Sequence, residues 1–246
     1  MNPKVYIHEL VDITGRHRAD YLHHVTANWS PVGQDERGQR CFGVWGTVGS
    51  TGAWPQVVNL WEEDGFTGLA ASFGHELSSP ELQDPKLAKW WDDAESFRRG
   101  GRDRICVPAP WSPTIEELCA EGPVGAAVYA HETVRVEPGG ADAFLDRVRD
   151  VGVPTLAGSG VRCVAALKRA LHDDSECILV WAFPTWERWG AFEQGVYGDP
   201  GLRGWRDELW ARRGFERFLL CDAPLSPLRT GRQPRREDRT GGWSET

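Results

Sequence analysis

The sequence "VYIHELVDITGRHRADYLHHV" at Val5–Val25 returns later in the chain as "VYAHETVRVEPGGADAFLDRV" at Val128–Val148. Both stretches begin Val-Tyr-x-His-Glu, and both then carry Val, Leu and Val at identical spacings. So many matches without a gap are not expected by chance. The chain is therefore predicted to contain one folding unit written twice.

Later blocks recur in the same order. They are "RCFGVW" at Arg40 and "RCVAAL" at Arg162, "VVNLWEED" at Val57 and "CILVWAFP" at Cys177, "DPKLAKWWDD" at Asp84 and "DPGLRGWRDE" at Asp199, and "APWSP" at Ala109 and "APLSP" at Ala223. The offset between copies changes only between these blocks. Loops tolerate insertions better than packed elements do, so the blocks are predicted to be helices and strands.

Hydrophobic periodicity gives each copy the element order β-α-β-β-α-β. Strands are predicted at 4–13, 40–48, 56–63 and 103–108, then at 124–136, 161–170, 176–183 and 216–221. Helices are predicted at 16–29, from about 66 with a second start at Asp84-Pro85, at 141–151 and at 186–212. The predicted divisions are a first repeat at 1–113, a linker at 114–122, a second repeat at 123–228 and a disordered tail at 229–246, which is rich in Arg, Gly, Pro and Ser.

A four-stranded sheet with helices on one face leaves its other face bare, and two such sheets can cover each other. The motifs "Y-x-H-E" on the first strand, "V-x-L-W-E" on the third and "D-P-x-L-x-x-W" before the last resemble the NIPSNAP-like branch of the dimeric α/β-barrel (ferredoxin-like) superfamily. The resemblance covers nearly the whole chain except the tail. It implies an α+β fold of two tandem ferredoxin-like βαββαβ units packed sheet to sheet as an intramolecular dimeric α/β barrel.

That superfamily includes polyketide cyclases, cofactor-free quinone monooxygenases, isomerases, haem enzymes and proteins with no known activity. The resemblance therefore implies a fold and leaves the chemistry open.

Composition and motifs exclude several classes of function. A formal charge of −8 disfavours nucleic acid as a partner. The sequence has neither an apolar run long enough to span a membrane nor a secretory signal, so we expect a cytoplasmic protein without a membrane partner. The six cysteines form no C-x-x-C pair and are interpreted as structural. Because no G-x-G-x-x-G follows a strand and no P-loop or G-x-S-x-G motif occurs, nucleotide cofactors and serine hydrolysis are disfavoured, and the first hypothesis includes no cofactor.

Glu9 interrupts an aliphatic row on the first strand, where it shares a face with Val5, Ile7, Val11 and Ile13. A carboxylate desolvated there would have its pKa raised into the range of a general acid or base. The alternative is that Glu9 pairs with an arginine or a backbone donor and serves the fold. The second copy keeps the same Tyr-x-His-Glu motif with Glu132, and a motif needed for structure is needed twice.

Histidine is concentrated in the first copy. His17, Tyr21, His24 and Asn28 form a polar stripe on the first helix, and the second copy has no imidazole at the matching positions. His75 in "SFGHELSS" also lacks a histidine counterpart. His24, His75 and Glu9 are therefore the candidate catalytic residues. Solvent-facing helix residues remain the alternative for the histidines.

The other candidate residues are predicted to bind a substrate. They are His8, Tyr21, Asn28, Trp29 and Trp61. Thirteen tryptophans in 246 residues would suit an apolar or aromatic ligand, although they also fit a core. No metal site is predicted, because His17 and His24 lie about 10 Å apart along a helix and no H-E-x-x-H motif occurs.

The first hypothesis is an acid/base enzyme without nucleotide cofactor, a cyclase, isomerase or lyase, that acts on an aromatic, polyketide-like or steroid-like carbonyl compound. The second is a non-catalytic small-molecule-binding or partner protein. The third is an oxygenase, either cofactor-free or with haem bound through His75 or His24. A homodimer is also possible.

Overall fold

The computed structural model describes residues 1–245. The eight strands are β1 (Val5–Ile13), β2 (Arg40–Thr47), β3 (Gln56–Glu63), β4 (Arg98–Pro108), β5 (Val128–Arg135), β6 (Arg162–Arg169), β7 (Glu176–Phe183) and β8 (Gly214–Asp222). They are hydrogen-bonded in the order β1-β3-β2-β8-β5-β7-β6-β4, which closes as a barrel. The antiparallel pairing of β1 with β3, β2 with β3, β5 with β7 and β6 with β7 agrees with the two predicted βαββαβ units.

The α-helices are α1 (Arg18–His23), α2 (Ser30–Arg37), α3 (Gly65–Glu76), α4 (Pro85–Ala94), α5 (Ile115–Ala120), α6 (Ala141–Arg147), α7 (Val153–Ala157), α8 (Trp186–Gly198), α9 (Pro200–Trp210) and α10 (Pro227–Thr230). Two π-helical segments, His24–Trp29 and Val148–Gly152, join α1 to α2 and α6 to α7. Arg236–Asp238 form a 3₁₀ turn.

The first helix is longer than the predicted range 16–29, because it continues through the π-helical segment to Arg37 and ends at Gly38, whose φ is 67°. A proline follows each π-helical segment at the same position of the repeat, Pro31 and Pro154. Proline has no N–H, and its ring clashes with the carbonyl four residues earlier in an α-helix. The wider π turn accommodates it. Since both repeats share this feature, it belongs to the fold.

Residue contacts divide the chain into two compact units. The amino-terminal unit contains Pro3–Arg104, Thr114–Val124 and the residues from Asp222 onward, and the carboxyl-terminal unit contains Met1–Asn2, Ile105–Pro113 and Gly125–Cys221. Strand β4 thus begins in one unit and ends in the other. Its last residues pair with β6, Cys106 opposite Arg169, while Ala223, just after β8, donates its N–H to the carbonyl of Val44 in β2.

Each unit packs helices on strands. The core of the amino-terminal unit contains Val11, Ile13, Tyr21, Val25, Trp29, Val57, Trp61, Leu87 and Trp90. In the carboxyl-terminal unit the buried residues include Val134, Phe144, Leu145, Val148, Leu156, Ile178, Trp181, Phe192, Trp205 and Leu209. Most tryptophans of the repeated blocks therefore serve as core, which was the alternative interpretation of their abundance.

The predicted linker, 114–122, contains the short helix α5. Thr114 caps it by accepting from the N–H of Glu117 at 3.2 Å, and the Glu117 carboxylate accepts from the N–H of Thr114 at 2.8 Å. The N–H of Ile115 donates to the buried Glu62 carboxylate at 2.8 Å, and Tyr6 Oη donates to the same oxygen at 2.9 Å. These bonds fix the segment within the amino-terminal unit.

The segment predicted to be a disordered tail, 229–246, is ordered over 229–245, and its last residue lies outside the described residues. The arginines that composition assigned to solvent find acidic partners: Arg232 pairs with Asp238 at 2.7 Å, and Arg239 with Glu245 at 2.7 Å. Trp243 packs against the core of the amino-terminal unit and donates its indole N–H to Asp93 at 2.8 Å. The segment has few aliphatic residues, and its composition therefore predicted disorder. Its ion pairs and the Trp243 ring provide the contacts that hold it in place.

Candidate functional site

The Glu9 carboxyl group is the centre of a polar cluster in the amino-terminal unit. Glu9 on β1 lies directly opposite Asn59 on β3. Its Oε2 accepts hydrogen bonds from Asn59 Nδ2 at 2.8 Å and from Trp61 Nε1 at 3.0 Å. Glu9 was predicted as a catalytic residue and Trp61 separately as a substrate-binding residue, and the two side chains are in direct contact.

Tyr21 joins the same cluster from α1. Asn59 Nδ2 also donates to Tyr21 Oη at 3.0 Å, which leaves the phenolic proton of Tyr21 available for donation. Asn59 is fully buried, and its Oδ1 has no hydrogen-bond partner among the described residues. Sequence reasoning missed Asn59, although an amide inside the apolar run "VVNLW" was a usable signal. The cluster thus offers a carboxyl acceptor, a phenol donor and an unpaired amide oxygen.

Burial raises the pKa of Glu9 from 4.5 to about 7, with a further contribution from the negative charge of Asp103. The hydrogen bonds from Trp61 and Asn59 and the charge of Arg98 oppose this shift. Glu9 nevertheless keeps accessible surface, since it is only partly buried. A desolvated carboxyl group on a residue that is not fully buried has the raised pKa that a general base near neutral pH needs.

The matching carboxylate of the second repeat is in a different state. Glu132 is fully buried, and its Oε2 accepts from Trp181 Nε1 at 2.9 Å, as Glu9 accepts from Trp61. Its Oε1 accepts from Arg217 at 2.8 and 2.6 Å, and Arg217 also contacts Glu193 at 3.3 Å. Glu132 therefore has the structural role that the sequence allowed for both copies.

Asp103 takes the position of Arg217 in the first repeat. Arg217 lies opposite Glu132 in the β5–β8 register. On β4, Arg104 Nη1 lies 3.4 Å from His8 Nδ1, and a Cβ added to Gly101 would lie 3.2 Å from Val11 Cα. These two contacts fix the antiparallel alignment of β4 with β1 and place Asp103 opposite Glu9. The cation Arg217 therefore faces Glu132, whereas the anion Asp103 faces Glu9.

The charge of Arg98, at the start of β4, acts on both Glu9 and Tyr21. Its Cζ lies 5.4 Å from the Trp90 ring centroid and also over the Trp91 ring. Gly100 lies between Arg98 and Asp103 on β4 and has a φ of 124°, which glycine adopts more readily than other residues. The regular alternation of side chains along the strand is interrupted there. Arg98 was not among the predicted site residues.

His24 lies in an aromatic cluster of its own. Its ring stacks on Trp90 with centroids 5.1 Å apart and an interplanar angle of 4°, and Phe97 and Trp243 meet it edge-on. Nε2 donates to the carbonyl of Trp90 at 3.0 Å, and Nδ1 accepts from Asn28 Nδ2 at 2.9 Å. Burial lowers the pKa of His24. With both nitrogens engaged, His24 is placed as a structural residue, and the geometry supports neither a catalytic base nor a haem ligand there.

The remaining predicted site residues lie in other surroundings. His75 is partly exposed, with Nε2 3.3 Å from Asp84 Oδ2. His8 is buried against Arg104. Trp29 donates its indole N–H to Gln39 at 3.2 Å and lies 5.7 Å from the Trp90 ring. None of these bonds involves Glu9, so of the predicted residues Glu9, Tyr21 and Trp61 form one cluster, and His24 and Asn28 form another.

Within residues 1–245, one group of side chains has ligand atoms close enough to hold a metal ion. Glu36, His75 and Asp84 each offer one atom, and these atoms lie within 4.8 Å of one another. The Lys86 ammonium contacts Glu36, and Asp84 Oδ1 already accepts from the N–H groups of Lys86 and Leu87. The nearby cation and the capping role of Asp84 compete with metal binding.

Comparisons with known proteins identify the fold. A candidate monooxygenase from Fusobacterium nucleatum superposes with a TM-score of 0.57 at 6% identity, covering 94% of this chain and 97% of that chain. The chain has the dimeric α/β-barrel fold. An anthrone oxidase-like protein superposes with a TM-score of 0.58 at 11% identity, covering 90% of this chain and 92% of that one. The fold that the sequence resemblance implied is confirmed.

NIPSNAP-family proteins are also among the structural neighbours. An uncharacterized NIPSNAP-like domain protein from Burkholderia xenovorans aligns with 46% of this chain and 92% of its own, with a TM-score of 0.37 and 17% identity. No protein-family profile and no curated protein matches the sequence. Among the described residues, no helix is both long and apolar enough to cross a bilayer.

Proposed function

We propose that the chain is an enzyme that removes a proton from a carbon made acidic by a carbonyl group, either beside it or conjugated with it through an aromatic ring, in a small apolar or aromatic molecule, with Glu9 as the general base. The observation that carries this proposal is the half-buried residue Glu9, the pKa of whose carboxyl group is raised to about 7 mainly by burial. Glu132, the same residue in the second repeat, is buried and paired with Arg217 instead.

Tyr21 supplies the complementary group. Its hydroxyl is fixed by Asn59 at 3.0 Å and stays protonated near neutral pH, since burial and the charge of Glu9 raise its pKa. A phenol donor that faces the carbonyl oxygen stabilises the enolate as negative charge develops there. Trp61 and Asn59 hold the Glu9 carboxyl in one orientation, so the proton acceptor is positioned before substrate binds. Cyclases, isomerases and lyases share this step.

Oxygenation is a second candidate, favoured by the candidate monooxygenase and the anthrone oxidase-like protein that share the fold. The carbanion formed by Glu9 would react with molecular oxygen. A methylene group then becomes a carbonyl, one oxygen atom enters the product, the other leaves as water, and four electrons pass from carbon to oxygen. The same base would serve both outcomes.

The test follows deuterium incorporation at the acidic carbon of 2-tetralone and anthrone in D2O under argon, by proton NMR. Wild-type protein is expected to accelerate exchange, and Glu9→Gln to lower the rate at least about 100-fold, as loss of a general base does. Asp12→Asn, which removes a carboxylate of the same strand that lies outside the cluster, is the matched control and should keep the rate. Oxygen uptake with anthrone in air separates oxygenation from isomerisation.

Equal exchange in wild type and Glu9→Gln, or no acceleration by wild type with either compound, contradicts the proposal. Binding of both probes without any exchange identifies the alternative, a non-catalytic binding protein.

A further inference from the structure

Arg98 has no polar partner. No hydrogen bond or ion pair joins its guanidinium group to any of the residues 1–245, and Nη2 is buried without a partner. Its neighbours are the rings of Trp90 and Trp91. Buried polar groups in native proteins are nearly always paired, so an orphaned guanidinium nitrogen calls for an explanation.

The ionisable groups that act on Arg98 belong to the Glu9 cluster or lie beside it. Glu9, Tyr21 and Asp103 are the groups whose charges act on Arg98, and none is hydrogen-bonded to it. Trp90, which lies 5.4 Å from the Arg98 Cζ, has its ring centroid 6.3 Å from that of Tyr21. The guanidinium and the phenol therefore border the same aromatic surface.

We propose that Arg98 is an anion-binding residue of this site, and that the small molecule it takes is aromatic and carries a carboxylate or phenolate oxygen. This inference rests on the proposed function for the identity of the site and adds the substrate class. A guanidinium fork binds a carboxylate through two parallel N–H donors, and it does so most strongly where water is excluded. The aromatic part of the ligand would lie against Trp91, which is exposed and whose ring already contacts the cation, whereas Trp90 is buried in the core.

The charge arrangement is consistent with this ligand class. A negative oxygen at Arg98 would lie near Glu9, and Glu9 is largely protonated below pH 7 because its pKa is raised to about 7. The site can then accept an anion without a second full negative charge beside it. Proton abstraction requires the ionised Glu9 carboxylate, and in that state the positive charge of Arg98 partly offsets the negative charge that Glu9 adds to the site.

The test compares 2-naphthoate with its neutral analogue 2-naphthamide, using quenching of tryptophan fluorescence at pH 6 to obtain two dissociation constants. Wild type is expected to bind the naphthoate at least about tenfold more tightly. Arg98→Met should remove this preference and change the naphthamide affinity less than about threefold. Arg98→Lys, which keeps the charge without the fork, should keep part of the preference. Arg102 is an exposed arginine of the same strand. Arg102→Met removes the same charge and should keep the full preference for naphthoate.

Equal affinities for the two probes in wild type, or a preference that survives in Arg98→Met, overturn the inference. Glu9→Gln separates this result from the proposed function, because it should abolish deuterium exchange and leave the naphthoate preference intact. A preserved preference in a protein that never catalyses exchange would overturn the proposed function and leave anion binding at Arg98 standing.

Discussion

Arg217 donates two hydrogen bonds to Oε1 of Glu132, at 2.8 and 2.6 Å. In the other repeat the matching positions hold Asp103 and Glu9. An exchange of charge on the last strand thus accompanies the difference between a glutamate that is part of the fold and one whose pKa is raised to about 7, mainly by burial and then by the charge of Asp103. Glu132 in the second repeat therefore serves as an internal control for the role of Glu9 in the first.

Charge at position 103 should set the proton affinity of Glu9. Asp103→Asn removes a negative charge and should lower the pKa of Glu9, and Asp103→Arg should lower it further by providing the counter-ion that Arg217 provides for Glu132. Carbon-13 NMR of labelled glutamate carboxyl groups measures both shifts. Because Asp103 is exposed, both variants should fold. An unchanged titration in Asp103→Arg contradicts the assigned register.

The pH dependence of deuterium exchange should follow the ionisation of Glu9. The rate should rise as pH increases through about 7 and then level off, because only the carboxylate accepts a proton. Asp103→Asn should move the midpoint to lower pH. A profile that does not respond to Asp103→Asn assigns the base to another group.

Stability should also depend on Glu9, with a defined sign. The folded-state pKa is raised from 4.5 to about 7, so between these values the folded state binds more protons than the unfolded state. The free energy of unfolding should therefore fall as pH increases from 4.5 to 7, by up to about 3 kcal/mol for this one group. Urea unfolding at both pH values should show a smaller loss in Glu9→Gln than in wild type. The same loss in both proteins would mean that Glu9 is not desolvated.

Arg217→Met should destabilise the carboxyl-terminal unit and spare the Glu9 site. Removing one partner of a buried ion pair leaves Glu132 uncompensated, at a cost of about 3–5 kcal/mol. Urea unfolding measures this cost, and deuterium exchange or naphthoate binding measures the site. Loss of activity with stability unchanged would give Arg217 a role in function.

The ordered C-terminal segment should protect the first π-helical segment. Arg239 donates to the carbonyls of Ala27 and Asn28 at 3.3 and 3.2 Å, and it pairs with Glu245. Arg239→Ala should cost about 1–2 kcal/mol and speed amide hydrogen exchange across His24–Trp29. Arg229→Ala, in the same segment, is the control. Unchanged amide hydrogen exchange in Arg239→Ala would mean that the C-terminal segment does not stabilise the π-helical segment His24–Trp29.

The fold could be predicted largely from sequence because the hydrophobic pattern of each strand and helix occurs in both repeats. Strands 40–48 and 56–63 match β2 and β3 to within a residue, since each is a short apolar run between turn signals. The start of β4 at Arg98 was missed, because its first half is polar and contains two glycines. The helix through Pro31 was predicted to end early, since proline usually ends an α-helix and the π turn is not visible in hydrophobic periodicity.

The site could be predicted only in part. Glu9 stood out as a carboxylate in an aliphatic row, whereas Tyr21 was selected as part of the polar stripe on the first helix and Trp61 as one of the many tryptophans. Asymmetry between the repeats was the criterion used for the site, and it was applied to histidine. The decisive asymmetry lies in the exchange of Arg217 for Asp103, which requires the strand register, and register depends on long-range pairing that one sequence does not display.

The central claim is that Glu9 is a proton acceptor near neutral pH, and its own titration tests this most directly. Carbon-13 NMR of the labelled protein, with the Glu9 signal assigned by its absence in Glu9→Gln, should give a midpoint near 7. A midpoint near the ordinary value of 4.5 would contradict the account.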